Sequence, residues 1–167
     1  LDAGANGNNT AVGYNAGNAM TTGTANTLLG HGSGDATDDG ANNTAVGYLS
    51  LSANCGNDNV AVGYQALMSS TGANNVAIGA SALGTATTAA SNVFIGKGAG
   101  SAIPAGQALA SCVAIGINAF NGAGGTTNDA VGTIAIGDGA CFELTTGIGN
   151  VAIGYQALDA EDDGDFN

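Results

Sequence analysis

Few side chains in this sequence could do chemistry. His31 is the only histidine, and no serine or cysteine is placed to complete a triad with it. Acid–base or nucleophilic catalysis needs partners within hydrogen-bond reach, so a lone histidine reads as structural. Cys55, Cys112 and Cys141 follow no metal-ligand spacing, and pairing two leaves one over. A disulfide through Cys55 or Cys112, within or between chains, is a minor alternative in an oxidising compartment. The acidic stretch Gly34–Asp39 carries Asp35, Asp38 and Asp39, and carboxylates suit a hard cation such as calcium. It lacks the nine-residue Gly-Asp period of calcium-binding rolls, so a solvated loop is the simpler reading and no metal is expected. Tyr14, Tyr48, Tyr64 and Tyr155 each directly follow a glycine. Exposed rings in a column can stack on sugar rings, which makes these four the glycan-facing candidates, although packing over a turn explains them more simply.

Charge narrows the partners. The formal net charge is −12, with Lys97 as the only cation besides His31. One lysine cannot neutralise a row of phosphates, which argues against nucleic acid, and anionic membrane surfaces are disfavoured for the same reason. The acids gather in Gly34–Asp39 and in the tail Asp159, Glu161, Asp162, Asp163 and Asp165. No apolar run reaches the length of a membrane span, so no membrane insertion is expected. No signal peptide is visible and residue 1 is Leu, so the chain is expected to be a mature or excised piece. Gly makes up 30 of 167 residues and Trp is absent, which leaves few large side chains for a broad core. A thin architecture that buries small residues between stacked layers suits such a chain.

The elements that must position these residues come from a repeat. One phrase recurs nine times, as Asn9-Thr-Ala-Val-Gly13, Asn26-Thr-Leu-Leu-Gly30, Asn43-Thr-Ala-Val-Gly47, Asn59-Val-Ala-Val-Gly63, Asn75-Val-Ala-Ile-Gly79, Asn92-Val-Phe-Ile-Gly96, Cys112-Val-Ala-Ile-Gly116, Thr133-Ile-Ala-Ile-Gly137 and Asn150-Val-Ala-Ile-Gly154. The closing glycines are 16 or 17 residues apart, except across insertions around Ala102–Ser111 and Gly122–Val131. A second phrase follows each glycine, with a small residue three positions on (Ala16, Ser33, Ser50, Ala66, Ala82, Ala99, Ala119, Ala140, Ala157) and often Leu after it. His31 takes the tyrosine slot, Cys112 a leading-Asn slot and Cys141 a Leu slot.

β-branched residues cluster in the phrases and no helical period appears, so the repeat predicts an all-β fold. Two short strand-like phrases per repeat make about nine coils of a parallel β-solenoid, paired at about 4.8 Å. The closing glycine fits a turn at positive φ, and the leading Asn tolerates left-handed backbone and can stack into a ladder. The coils are expected over about 9–158 of a single domain spanning 1–167, with 159–167 an acidic tail or cap.

Strand residues alternate faces. Filling the coil with branched side chains puts pairs such as Val60/Val62 and Val76/Ile78 inside. The middle column, Ala11, Leu28, Ala45, Ala61, Ala77, Phe94, Ala114, Ala135 and Ala152, then points outward. It holds no polar residue, so it is expected to be buried against another chain. Asn15, Gln65, Ser81, Asn118 and Gln156 would form the wet face.

The Asn-Val-Ala-Ile-Gly-x-x-Ala phrase over about residues 9–158 resembles the head repeats of trimeric autotransporter adhesins, the YadA-like family, and similar repeats of bacteriophage tail fibres. The resemblance implies a left-handed parallel β-roll, a homotrimer packed about an axis, a role in attachment to a host-surface receptor or glycan, and a location outside the cell or on a virion. The repeats here are longer than the family's tight head repeats. No neck, stalk, anchor or chaperone segment is recognised.

The expectation is therefore a structural or adhesive fibre segment, not an enzyme, with no cofactor. A self-assembling filament of stacked solenoids is compatible with it. A monomeric ice- or surface-binding solenoid is the rival, weakened because the threonine column Thr10, Thr27, Thr44 turns into valine. A solenoid lyase or hydrolase would need clustered charges in a groove, and the sequence offers no such groove.

Overall fold

The computed structural model describes residues 7–107, 109–122, 130–160 and 164–167. Each recurring phrase forms one three-residue strand: β1 (Thr10–Val12), β2 (Thr27–Leu29), β3 (Thr44–Val46), β4 (Val60–Val62), β5 (Val76–Ile78), β6 (Val93–Ile95), β7 (Val113–Ile115), β8 (Ile134–Ile136) and β9 (Val151–Ile153). The strands stack in chain order into one parallel nine-stranded sheet, so the chain is a β-solenoid of about eight full turns. Coil n denotes the turn opened by strand n. Equivalent residues pair throughout, as Val60↔Val76, Ala61↔Ala77 and Val62↔Ile78 do. The insertion Ala102–Ser111 supplies the buried Ile103 and Leu109. Most of Gly122–Val131, and Glu161, Asp162 and Asp163 of the acidic tail, lie outside the described residues.

The second phrase is not a strand, contrary to the expectation of two per coil. Its residues alternate between right- and left-handed backbone, with Gln65 at φ 55° and Leu67 at 49°, and Ser81 at 57° and Leu83 at 49°. Coils still join here through backbone bonds such as Leu67 N–H to the Ala82 carbonyl (3.0 Å) and Leu83 N–H to the Ala99 carbonyl (2.8 Å). The closing glycine makes the corner, and at Gly63 (φ 136°) a Cβ would sit 2.6 Å from the Gly79 carbonyl oxygen. No side chain fits so close an approach.

The facing of the strands corrects the expectation drawn from size. The middle residues Leu28, Ala45, Ala61, Ala77, Phe94, Ala114, Ala135 and Ala152 are buried inside the coil, and Ala11 packs against the same core. The Val/Ile columns face outward. The coil is thin, and its opposite wall already fills it with Leu51, Leu67, Leu83 and Phe120, leaving room only for alanine on the strand. The two exceptions show the rule. Where the strand carries Leu28, the opposite wall carries Gly34, whose added Cβ would lie 2.7 Å from a Leu28 methyl. Where it carries Phe94, the wall carries Gly100, 2.6 Å from the ring by the same measure.

The leading asparagines form the expected ladder inside the coil. Asn75 donates from its backbone N–H and from Nδ2 to Asn59 Oδ1, and from Nδ2 to the Ala89 carbonyl. Its own Oδ1 accepts from Asn92 N–H and Nδ2. The left-handed residue is the one before each ladder asparagine, such as Asn42, Asp58 and Asn74. At Cys112 the thiol donates to the Ala130 carbonyl instead, and at Thr133 the buried hydroxyl has no partner. The ladder resumes at Asn150, whose Oδ1 accepts from Asn167 N–H. The end of the tail thus pairs with coil 9 rather than fraying from it.

Candidate functional site

Two surface features stand out. The first is the outer face of the sheet. It presents two parallel columns, Thr10, Thr27, Thr44, Val60, Val76, Val93, Val113, Ile134, Val151 and Val12, Leu29, Val46, Val62, Ile78, Ile95, Ile115, Ile136, Ile153. Fifteen of these eighteen side chains are aliphatic and none is charged. Val12, Leu29 and Ile153 are 56, 46 and 67% exposed, and the middle of the face is half-buried by its own neighbours. At a strand spacing of about 4.8 Å the stripe runs about 38 Å. Unbroken apolar stripes of this kind mark interaction surfaces. The residues expected there, Ala11 through Ala152, lie beneath it.

The second is the column that follows each closing glycine. Tyr14 and His31 have ring centroids 5.2 Å apart, His31 and Tyr48 5.2 Å, and Tyr48 and Tyr64 5.5 Å with planes only 8° apart. His31 is thus one rung of an aromatic ladder, stacked on Tyr48 and tilted 31° against Tyr14. Stacking covers both faces of His31 and Tyr48, so they present edges rather than faces outward. Of the four tyrosines proposed to meet sugars, only Tyr14, Tyr64 and Tyr155 keep a ring face clear of this stack. Tyr155 stands alone, because Ala80, Lys97, Ile117 and Asp138 separate it from Tyr64 in the column. Backbone bonds fix that order, with Ser81 N–H to the Tyr64 carbonyl, Gly98 N–H to Ala80 and Asn118 N–H to Lys97, at 2.8–2.9 Å.

The remaining candidates are tied into the fold. Asp38 accepts from the Thr21 hydroxyl at its carboxylate, and its N–H donates to Asn54 Oδ1. Asp35 has a buried oxygen without a partner, and desolvation pushes its carboxyl pKa up despite backbone hydrogen bonds and the proximity of His31. Among the described residues no three His, Cys, Asp or Glu side chains converge as a metal site would require. Cys55, Cys112 and Cys141 are free and buried, which places their sulfurs out of a neighbouring chain's reach. Burial raises all three thiol pKa values, to about 11 for Cys112 and Cys141.

Sequence reasoning found the tyrosine column but missed the outward Val/Ile face. The pairing of each large strand residue with a glycine six positions later was the available signal. No described helix is long and apolar enough to cross a membrane. Comparison of the chain with family models, with curated proteins and with solved structures finds no match.

Proposed function

We propose that this chain is a segment of an extracellular trimeric fibre, the shaft or head of an adhesin or tail fibre, in which three copies pack their Val/Ile faces around a common axis. The observation that carries the reading is the uncovered stripe from Val12 to Ile153, continuous over all nine strands. Burying half-exposed aliphatic side chains stabilises an assembly by roughly 25 cal/mol per Å² of apolar area. The resemblance to trimeric adhesin repeats supplies the number three and the left-handed coil. The function is mechanical and adhesive, with no catalytic step. Replacing Ile78 and Ile115 by Glu tests it, because buried like charges from three chains cannot coexist near the axis. The double variant should be a folded monomer, and an unchanged native mass would remove the Val/Ile face from the interface.

A second reading gains from the same facing. Thr10, Thr27 and Thr44 point out beside Val12, Leu29 and Val46, a flat hydroxyl–methyl array of the kind a monomer could lay on ice or another ordered surface. The array covers only three coils before valine takes over, so the fibre remains the preferred reading.

A further inference from the structure

The aromatic ladder stops at Tyr64 with one rung missing before a charge. Tyr64 is 53% exposed, and the next position in its column is Ala80, a methyl group. One coil further stands Lys97, which is exposed. Each ladder step below spans 5.2–5.5 Å between ring centroids. A ring laid on the Ala80 methyl therefore takes the place of the absent rung, stacked on the free face of Tyr64 with Lys97 on its other side. The flanking positions are polar. Gln65 and Ser81 border the column, and a concavity of about 270 Å³ opens beside them, lined also by Met68, Gly84, Thr85 and Ser101.

The local charge is the reverse of the whole chain's. Between Asp58 and Asp129 the sequence contains no Asp or Glu, and Lys97 is its only charged residue. Coils 4–6 thus form a cationic island on a protein of net charge −12. A ligand placed here meets a ring face, a single ammonium and a shelf of hydroxyl and amide groups.

We propose that the slot over Ala80, between Tyr64 and Lys97, binds a carboxylated pyranose. The sugar ring stacks on Tyr64, its carboxylate faces the Lys97 ammonium, and its hydroxyls meet Gln65 and Ser81, whereas the Thr85 hydroxyl is held by the Ser101 and Ile103 carbonyls. Ring-face contact suits both sugars and aromatic acids, but the polar shelf favours the hydroxyl-rich ring. The site lies within one chain. It rests on the adhesive half of the fibre reading but not on the trimer.

The test is calorimetric titration of the intact chain with glucuronate, N-acetylneuraminate, glucose and benzoate. At least one acidic sugar should bind at millimolar concentration while glucose binds more weakly. Glucuronate alone points to acidic polysaccharides, and N-acetylneuraminate alone to sialylated glycans. Ala80→Tyr completes the ladder with a residue the column already accepts, and should abolish binding. Lys97→Gln should weaken the acidic sugar by about fivefold, the scale of an exposed ion pair, and leave glucose unchanged. Should Ala80→Tyr fail to fold, Tyr64→Leu and Lys97→Gln decide the question. No binding to either acidic sugar, binding that survives Ala80→Tyr, or equally tight binding of benzoate would overturn the proposal. Native mass on the same sample separates the two readings: a trimer that does not bind overturns the slot alone, and a monomer that binds overturns the trimer alone.

Discussion

Phe94 occupies the space that Gly100 leaves open on the opposite wall of the same coil. A Cβ on Gly100 would lie 2.6 Å from the Phe94 ring and 3.1 Å from Leu83. The ring reaches across to Phe120 of the next coil, centroids 6.0 Å apart. Phe94 therefore stands in for the residue missing from the column Leu67, Leu83, Gly100, Phe120. Phe94→Ala should cost about 3–5 kcal/mol by emptying that space. Adding Gly100→Leu should recover most of the loss, because Leu51, Leu67 and Leu83 already hold the same left-handed backbone. Urea denaturation of the single and double variants checks this, and additive losses would contradict the size matching.

The asparagine ladder should be the costliest polar feature to break. Asn75→Ala removes the acceptor for Asn92 N–H and Nδ2 and the donor to Ala89, all buried. Unmade buried hydrogen bonds of this kind cost about 1–3 kcal/mol each, so the variant should lose about 2–4 kcal/mol. Thr133→Val should be neutral or stabilising, since the Thr133 hydroxyl is buried without a partner. Thermal melts of the two variants should move in opposite directions or leave Thr133→Val unmoved.

The strands and their parallel register were legible because the phrase closing on glycine returns every 16 or 17 residues outside the two insertions, and the phrase itself pairs like with like even across those longer steps. Their facing was not. A three-residue strand alternates only once, and both of its faces are apolar, so periodicity separates two columns without saying which is inside. The interior is set by the far wall, whose Leu column lies beyond a glycine corner. The second phrase was misread as a strand because nothing in residues such as Gln65 or Leu67 announces positive φ. The tyrosine column was legible. Its stacking, with His31 as a rung and a gap at Ala80, required the coil geometry.

Alkaline pH should destabilise the fold through its thiols. An unfolded thiol ionises near 9.0, whereas burial holds Cys112 and Cys141 protonated to about 11. Between those values the folded state binds more protons than the unfolded one, so stability is full below pH 9 and falls as pH rises toward 11. Cys112→Ala with Cys141→Ala should flatten that decline. In the native protein all three thiols should resist a disulfide reagent at neutral pH and react on unfolding, as buried protonated thiols do. Fast labelling of the folded chain would contradict their burial.

In the proposed fibre, two further copies of the chain cover the stripe from Val12 to Ile153. Light scattering on a gel-filtration column measures this directly. The trimer requires a native mass three times 15.8 kDa for the 167-residue chain. A mass of 15.8 kDa would contradict it, leave the threonine–aliphatic face in contact with water, and bring the surface-binding monomer forward.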